Sequence, residues 1–338
     1  MINRRKTKQI KVGGVKVGGS APISIQSMAK VETSNVRACI SQIKKLENAG
    51  CEIVRVAVKN LKDAEAIKDI KRGIKIPLVA DIHFDYRLAL AAIKSGADKI
   101  RLNPGNMRKK NEIEEVVRAA KKAKIPMRIG LNSGSISTDM IKAALDYIKL
   151  FEEKDFHDII VSLKASDVAA TVEAYREISK RCDYPMHLGV TAAGPYDSGI
   201  VKSAVGIGAL LLDGIGDTIR VSLTADPVEE VVAARRILSA LNLRRFGPEI
   251  ISCPACGRCQ VNLAKMVDEV GRRVQGAGYR DKKIRIAIMG CEVNGPGEAR
   301  EADIGIAFGK GSGVLFEKGK IVKKVAVKNA VGELLKNL

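Results

Sequence analysis

Along its first two thirds, this chain repeats one pattern eight times, and that repetition leaves few folds open to it. From residue 22 onward, a short run rich in valine, isoleucine and leucine precedes a longer amphipathic stretch that ends near glycine or proline. This alternation predicts parallel strands joined by helices. Eight such units match a TIM barrel better than an open doubly wound sheet. We therefore predict an α/β fold with a TIM (β/α)8 barrel.

The limits of the predicted elements follow from the same pattern. Residues 1–21, with paired glycines at 13/14 and 18/19, indicate a hairpin that closes the lower end of the barrel. The strands are expected at 22–28, 51–58, 77–84, 99–103, 126–132, 158–165, 185–191 and 218–223. The helices are expected to begin near Asn35, Leu61, Tyr86, Asn111, Thr138, Asp167, Asp197 and Pro227.

The pattern ends near residue 243, which suggests a second domain. A chain of 338 residues exceeds the size at which one ordinary core stops growing. We predict a barrel over 1–243 that binds the substrate and a smaller α+β domain over 244–338. In the smaller domain we expect a strand that leads into Cys253, a helix at 262–275, strands at 284–289 and 304–308, a hairpin and a final helix.

The charge of the chain predicts an anionic ligand. Lysine and arginine number 58 against 38 acidic residues, for a formal net charge of +20. These cations are spread along the chain, and only 4% of residues are aromatic, so we expect no nucleic-acid binding. No run is long enough to span a membrane, and the basic N-terminus lacks an apolar signal core. We expect a cytoplasmic protein without structural disulfides.

Polar side chains at the ends of the predicted barrel strands mark a candidate anion site. In a TIM barrel, function is located at the carboxyl ends of the strands. Period-two alternation places their polar side chains inside the barrel. Each cation alone fits an ordinary salt bridge, but five strongly basic groups face one carboxylate, so a phosphate or diphosphate ligand is favoured. The set comprises Arg55, Asp81, His83, Arg101, Asn103, Arg128, Asn132, Ser162, Lys164, His187, Thr191, Arg220 and Ser222.

The second domain carries a cysteine pattern that is typical of a metal centre. Cys253, Cys256 and Cys259 are spaced by two residues each, and Cys291 follows a predicted strand. Structural zinc usually takes two paired knuckles, so an iron–sulfur cluster is favoured. A bacterial ferredoxin run is excluded, because its fourth cysteine would fall at Leu263. The remaining cysteines, Cys39, Cys51 and Cys182, are expected to be small core residues.

Six motifs together resemble the 4-hydroxy-3-methylbut-2-enyl diphosphate synthase family over nearly the whole chain. The length matches the short bacterial form. The resemblance implies a barrel followed by a domain similar to the cluster domain of sulfite and nitrite reductases. The motifs are Ile-Gln-Ser-Met at 25–28, Ala-Asp-Ile-His at 80–83, Arg-Leu-Asn-Pro-Gly-Asn at 101–106, Gly-Ile-Gly-Asp-Thr-Ile-Arg-Val-Ser at 214–222, Ile-Ser-Cys-Pro-Ala-Cys at 251–256 and Gly-Cys-Glu-Val-Asn-Gly-Pro-Gly-Glu at 290–298.

The resemblance also implies specific roles. It implies reductive ring opening and dehydration of 2-C-methyl-D-erythritol 2,4-cyclodiphosphate, with two electrons from ferredoxin or flavodoxin. A 4Fe-4S cluster would be held by Cys253, Cys256, Cys291 and an exchangeable Glu298, leaving Cys259 spare. The diphosphate would be bound by Arg55, Arg101, Arg128, Lys164 and Arg220, assisted by His83, Asn103, Asn132 and Ser222. The catalytic set would comprise Glu298, Asp81, His83, His187 and Thr191, together with position 192.

One position departs from the family pattern. In His-Leu-Gly-Val-Thr-Ala-Ala-Gly at 187–194, Ala192 stands where relatives carry glutamate. Alanine cannot donate a proton, and a positioned acid contributes about 10²-fold or more to a rate. If that glutamate supplies the proton that leaves with water, this chain should bind its substrate and turn it over slowly.

The connection between the domains predicts a dimer. The end of the eighth helix lies about 20 Å from the barrel mouth, and about six residues of linker reach at most ~20 Å. We therefore expect a head-to-tail homodimer in which each cluster covers the mouth of the partner, as the resemblance also implies. Two alternatives remain at this point, a phosphosugar lyase or isomerase on the same barrel and a non-enzymatic, zinc-stabilised RNA-binding protein.

Overall fold

The computed structural model describes residues 2–107, 109–135, 139–276, 278–279 and 282–338. It divides into two compact units, Met1–Arg244 and Arg245–Leu338, and each is described by itself below. The division falls within two residues of the position where the repeated pattern ends. Among the described residues, no helix has the length and apolar character that crossing a membrane requires.

The first unit is a barrel of eight parallel strands, as predicted. Its strands are hydrogen-bonded in the order β8-β7-β6-β5-β4-β3-β10-β9. A parallel bridge between Val161 and Met186 joins the two ends of this sheet and closes the barrel. The strands are β3 (Ser24–Met28), β4 (Ile53–Val58), β5 (Leu78–Ile82), β6 (Lys99–Leu102), β7 (Met127–Asn132), β8 (Ile159–Lys164), β9 (His187–Leu188) and β10 (Thr218–Ile219).

Helices alternate with these strands, and side-chain caps begin most of them. Asn60, Asp85, Asp167 and Asp226 each accept a hydrogen bond from a backbone N–H in the first turn of the helix that follows. The helix start predicted near Thr138 lies outside the described residues. The helices are α1 (Val36–Ala49), α2 (Leu61–Gly73), α3 (Tyr86–Lys94), α4 (Lys110–Ala123), α5 (Met140–Glu152), α6 (Val168–Ser179), α7 (Tyr196–Leu212) and α8 (Pro227–Ala240).

All eight barrel strands are somewhat shorter than predicted, and two of them are much shorter. β9 and β10 each keep two residues of regular pairing, whereas strands were expected over 185–191 and 218–223. Beyond them the backbone makes single hydrogen bonds to loops, such as Thr191 N to Ala165 O (3.1 Å) and Thr224 N to Gly194 O (2.9 Å). The chain therefore leaves the regular ladder early and forms the loops of the mouth.

An N-terminal hairpin closes the lower end of the barrel, as predicted. Strands β1 (Ile10–Val12) and β2 (Val15–Val17) pair antiparallel. Their buried side chains pack in one cluster against Ile53, Val79 and Ile160, which lie at the amino ends of barrel strands. The amino ends are opposite the carboxyl ends, where TIM barrels carry function.

The second unit is a five-stranded mixed sheet with helices. Its order is β11-β12-β13-β14-β15, parallel up to β13 and antiparallel beyond it. One helix, α10, was not predicted, although Pro296 in its first turn is well suited to a helix start. The elements are β11 (Glu249–Ser252), α9 (Leu263–Val274), β12 (Arg285–Met289), α10 (Gly295–Arg300), β13 (Ile304–Gly309), β14 (Ser312–Glu317), β15 (Lys320–Ala326) and α11 (Ala330–Lys336).

Candidate active-site residues

The carboxyl ends of the barrel strands bring the predicted cations together inside the barrel. Arg101 on β6 pairs in register with Arg128 on β7, and both side chains are buried. Lys164, the last residue of β8, is also buried, whereas Arg55 and Arg220 are partly exposed. The alternation of these strands, read from the sequence, predicted this inward orientation.

Asp81 links three of the basic side chains. Its Oδ1 accepts a 3.0 Å hydrogen bond from Arg101 Nη1, and its Oδ2 lies 3.6 Å from Arg55 Nε and 3.3 Å from His83 Nε2. Burial alone would raise the pKa of Asp81. The charges of Arg55 and Arg101 and the contact with His83 outweigh burial and hold that pKa well below its usual range. Asp81 therefore stays ionised and orients these groups.

A second buried carboxylate, Glu230, was not predicted. It lies on α8, and its Oε2 is 3.4 Å from Arg220 Nη2 and 3.1 Å from Ser27 Oγ. Its Oε1 is 3.1 Å from Lys30 Nζ and accepts a 3.1 Å hydrogen bond from Leu223 N. Glu230 therefore ties Arg220 to β3 and to the loop after β10. The expectation that Asp81 is the one carboxylate facing the cations is wrong, because a helix also contributes an acid.

Several nitrogen atoms of this mouth are buried without a partner. Within the described residues, Nε and Nη1 of Arg128, Nε of Arg101 and Nε of Arg220 find no hydrogen-bond acceptor. Arg101 Nη2 does have one, because it donates to Gly130 O at 2.8 Å. A buried polar group without a partner is costly, so it usually marks a place for a ligand or a water molecule. Charged donors of this kind suit a phosphate.

Burial lowers the pKa of several predicted residues, among them Lys164 and His187. The pKa of Lys164 is lowered well below its usual value by burial and by Arg128, Arg220, Arg55 and Arg101. The pKa of His187 is lowered well below its usual value by burial, then by Lys164, Arg128, Lys99 and Arg55. Neither ring nitrogen of His187 has a hydrogen-bond partner among the described residues. The imidazole is therefore neutral and free to hydrogen-bond a ligand.

The remaining predicted residues of the mouth differ in burial. Asn103 is buried, and its Oδ1 accepts a 3.1 Å hydrogen bond from Gly105 N. Asn132, Thr191 and Ser222 are partly exposed at the strand ends. Ala192 is exposed and has a left-handed backbone conformation, with φ of +50°. The loop therefore carries no acidic side chain at position 192.

In the second unit, the cysteines lie at one edge of the sheet. Ser252, the last residue of β11, pairs in register with Ile288 on β12, so Cys253 and Cys291 follow neighbouring parallel strands. Gly290 N donates a 3.3 Å hydrogen bond to Cys253 Sγ. The sequence predicts a strand before each of the two motifs, and the structure pairs these strands.

Cys259 lies beside Cys253. A β-carbon on residue 290 would lie 3.5 Å from Cys253 Sγ and would overlap Cys259 Sγ, so both sulfurs face Gly290. Cys256 is exposed, and its carbonyl oxygen accepts a 2.8 Å hydrogen bond from Cys259 N. Cys259 is therefore close to the ligand set, whereas the resemblance left it spare.

Cys291 occupies a polar turn that favours its thiolate. The backbone N–H groups of Val293 and Asn294 lower the pKa of Cys291, and Arg258 lowers it further, while slight burial raises it. Glu298 lies beyond this turn on α10 and is exposed. Across the described residues, the side chains of histidine, cysteine and acidic residues do not converge into a closed metal site of three or more ligands.

Two family descriptions match nearly the whole chain. The GcpE TIM-barrel domain matches residues 7–235, and the GcpE protein C-terminal domain matches residues 249–338. This chain belongs to the GcpE family. The family assignment confirms the predicted fold and the resemblance that the six motifs carry.

Relatives in this family share about half of their residues with the chain. A protein of Thermodesulfovibrio yellowstonii is 54% identical over 350 residues, covering 100% of this chain and 99% of the relative. A Fusobacterium nucleatum protein is 54% identical, covering 98% and 96%, and a Clostridium perfringens protein is 51% identical, covering 99% and 99%. All three are named 4-hydroxy-3-methylbut-2-en-1-yl diphosphate synthase (flavodoxin). These relatives are enzymes, and none supports a phosphosugar lyase or an RNA-binding protein.

Solved structures with low sequence identity agree with the fold. A dihydropteroate synthase from Stenotrophomonas maltophilia has a TM-score of 0.53 at 15% identity, covering 70% of this chain and 98% of that one. A sialic acid synthetase from Leptospira borgpetersenii has a TM-score of 0.52 at 12% identity, covering 80% and 98%. At such identities the likeness concerns the fold alone.

The donors at the sheet edge fit an iron–sulfur cluster of this GcpE chain. Cys253, Cys256 and Cys259 follow the end of β11, Cys291 and Glu298 follow the end of the adjacent β12, and the pKa of Cys291 is lowered. Thiolates are the usual ligands of such clusters, and a carboxylate is a harder ligand that exchanges more easily. The other cysteines do not fit this role. Cys39 and Cys51 are buried in the barrel, and burial raises their pKa values to about 11 and about 12.

Proposed function

We propose that this chain is a 4-hydroxy-3-methylbut-2-en-1-yl diphosphate synthase. It opens the ring of 2-C-methyl-D-erythritol 2,4-cyclodiphosphate and removes one oxygen as water, with the uptake of two electrons and two protons. The proposal rests on one observation above others, the buried arginine nitrogens without acceptors in a barrel mouth of this family. A multiply charged anion supplies the acceptors that these nitrogens lack.

The cations of the mouth bind and orient the diphosphate. Arg101 is fixed on one side by Asp81, and its Nε is left without an acceptor; Arg220 is fixed by Glu230, and its Nε also lacks an acceptor among the described residues. Because these partners hold the guanidinium groups before the substrate arrives, little ordering is needed on binding. The other proposed ligands of the diphosphate are Arg55, His83, Asn103, Arg128, Asn132, Lys164 and Ser222.

We further propose that Cys253, Cys256, Cys291 and Glu298 hold a 4Fe-4S cluster. When bound, the cluster supplies single electrons and one iron site that accepts an oxygen ligand. The polar turn around Cys291 keeps its thiol ready to bind metal, because ligation requires the thiolate. The carboxylate of Glu298 is exposed and can leave its position without disturbing a core.

The barrel residues also control protons. His83 is held by Asp81, and His187 is neutral, so each can hydrogen-bond an oxygen of the substrate. Position 192, however, offers no acid. We propose that Ala192 makes this chain a slow enzyme that binds its substrate normally, because a proton donor is missing where the family pattern has one.

The partners of this chain are also proposals. The relatives are named for flavodoxin, and we propose reduced flavodoxin, or a ferredoxin, as the electron donor. We keep the head-to-tail homodimer as a proposal in which each cluster serves the barrel of the other chain. Mixing a cluster-deficient Cys291→Ser chain with a substrate-deficient Arg128→Met chain tests it, since activity should return only if sites are completed between two chains.

Anaerobic reconstitution with iron and sulfide tests the proposed function. We expect about four iron and four sulfide per chain, consumption of the cyclic diphosphate with reduced flavodoxin, and an electron paramagnetic resonance signal that changes when substrate is added. Arg128→Met should lose substrate binding, whereas Arg72→Met, which removes an exposed arginine from the same barrel, should retain it. Zinc in place of iron and sulfide, or no consumption of substrate, would exclude this function.

A further inference from the structure

Lys30 is a lysine at the carboxyl end of β3 to which the proposed function gives no role. It lies two residues beyond Met28, the last residue of β3. Its backbone N–H donates a 2.7 Å hydrogen bond to Oε1 of Gln42 on α1. The N–H of the preceding residue, Ala29, donates a 2.9 Å hydrogen bond to Arg55 O on β4. The backbone at Lys30 is therefore anchored to the elements that surround β3.

The ammonium group of Lys30 reaches across to the loop that joins β10 to α8. Nζ donates a 2.8 Å hydrogen bond to Leu223 O and another hydrogen bond to Ala225 O, and it lies 3.1 Å from Oε1 of Glu230. An ammonium group has three N–H donors, so these three contacts use all of them. The side chain of Lys30 is therefore committed to the protein, and any effect that it has on ligand binding is indirect.

The loop after β10 depends on such contacts because its pairing with β3 stops early. Regular pairing between these two strands covers Thr218 and Ile219, and β10 ends there. Arg220 is the next residue, so the ladder with β3 does not fix the chain that leads from Arg220 to α8. The contacts of Lys30 with the loop and with α8 attach this stretch to the end of β3 instead.

Lys30 also balances the carboxylate that holds Arg220. Oε1 of Glu230 faces Lys30 Nζ and Leu223 N. Oε2 of Glu230 lies 3.4 Å from Arg220 Nη2. Glu230 thus lies between two cations, and the three side chains together keep one net positive charge. Without Lys30, Arg220 alone would balance the buried carboxylate, and the attraction between this pair and a bound anion would be weaker.

We propose that Lys30 is a positioning residue that holds Arg220 ready for the diphosphate, through the loop and through Glu230. This inference rests on the proposed function, which assigns Arg220 to the ligand. Lys30 fixes the chain that carries the guanidinium group and leaves the positive charge of that group available to the anion. It therefore strengthens substrate binding without contacting the substrate, and its loss should change KM more than kcat.

Calorimetric titration of the reconstituted protein with the cyclic diphosphate, without an electron donor, tests this proposal. Lys30→Met keeps the apolar stem but removes the charge and all three donors. Affinity should fall roughly tenfold, the effect of about one charge-assisted contact. Steady-state kinetics with reduced flavodoxin should show a similar factor in KM and a smaller change in kcat. The matched control is Lys59→Met, because Lys59 directly follows β4 and pairs with Glu32 at 3.2 Å, but both side chains are exposed. This variant should bind like the wild type.

A double-mutant cycle tests whether Lys30 acts through Arg220. Arg220→Met should lower affinity by itself. Adding Lys30→Met should then cause little further loss, because the group that Lys30 positions is already absent. Independent effects of the two changes would overturn the proposal. A purely structural Lys30 would lower the free energy of unfolding when it is replaced but leave substrate affinity equal to that of the wild type, which would overturn the proposal as well.

A second variant keeps the test decisive if Lys30→Met does not fold. The side chain of Lys30 is 34% exposed, so a polar replacement is tolerated there. Lys30→Gln retains donors for the loop carbonyls but carries no charge, and it should also bind the cyclic diphosphate more weakly. Wild-type affinity of Lys30→Gln would then contradict the proposal. Failure of the wild-type protein to bind the cyclic diphosphate would contradict the proposed function, and the inference with it.

Discussion

Nη1 of Arg101 donates a 3.0 Å hydrogen bond to Oδ1 of Asp81, and both side chains are almost fully buried. Neutralising this carboxylate leaves two arginines without their shared partner. We expect Asp81→Asn to lower the free energy of unfolding by about 3 kcal/mol, as for other buried ion pairs that lose one member. Denaturant-induced unfolding at neutral pH measures the change.

The pH dependence of Asp81→Asn gives an independent check. Because the pKa of Asp81 is depressed in the folded chain, its contribution is complete above the ordinary carboxyl pKa and is lost as pH falls through the depressed value. The variant should lack this part of the acid destabilisation. Asp85→Asn, which removes a more exposed carboxylate paired with Arg87, should change stability by less than about 0.5 kcal/mol. Equal effects of both variants would contradict the assignment.

Glu230→Gln tests whether a carboxylate orients Arg220. Glutamine retains an acceptor for Leu223 N but weakens the hold on the guanidinium, so KM for the cyclic diphosphate should rise roughly tenfold with a smaller change in kcat. Loss of a negative charge would by itself attract the anion more strongly. That attraction acts between buried groups, so salt screens it only weakly, and it opposes the expected rise in KM. A lower KM at moderate salt would show that charge outweighs orientation.

Ala192→Glu should increase turnover. A glutamate at this exposed loop position restores an acid where the family pattern has one, and kcat should rise about 10²-fold or more. The matched control is Ala192→Gln, which has nearly the same size but carries no ionisable proton. Steady-state kinetics with reduced flavodoxin measures both variants. An increase with glutamine as large as with glutamate would refute the role of a proton donor.

Serine substitutions separate the cluster ligands from Cys259. Cys291→Ser should lose most of the bound iron and sulfide, because a hydroxyl binds the cluster far more weakly than a thiolate. Cys259→Ser should retain the full content. Iron and sulfide analysis after anaerobic reconstitution compares the two variants. Loss of the cluster from Cys259→Ser would show that Cys259 is a cluster ligand and contradict the proposed ligand set.

Gly290→Ala should destabilise the second unit through one collision. Its new methyl group overlaps Cys259 Sγ, and such overpacking costs about 1–3 kcal/mol. A double-mutant cycle with Cys259→Ala should recover most of the loss, because the smaller side chain makes room. Gly271→Ala on α9 has ordinary van der Waals space and serves as the control. Additive effects of the two changes would mean that the collision does not occur.

The sequence predicts the barrel well because each strand repeats the same alternation. Arg101 and Arg128 point inward, as the alternation of apolar and polar residues around each of them predicts. β9 and β10 were predicted too long, since apolar runs do not reveal where backbone pairing stops. The short helix after Cys291 was missed because Gly-Pro-Gly resembles a turn, even though proline also begins helices.

Two buried residues of the barrel were not predicted from the sequence, for different reasons. Glu230 lies on a helix, whereas a barrel carries most of its functional side chains at the strand ends, so its position gives no sign of its role. Lys99 begins a strand and looks like a solvent-exposed residue that precedes an apolar run. Its burial depends on the register of β5, β6 and β7 around the barrel, which no local pattern contains.

The hairpin that packs against Ile53, Val79 and Ile160 closes the amino end of the barrel, so a ligand cannot pass through that end. The product must therefore depart by the same route that admitted the substrate. Any cover that shields the reaction from water has to lift once in every catalytic cycle. Opening of that cover before product release, rather than a chemical step, can then limit the turnover of a faster variant.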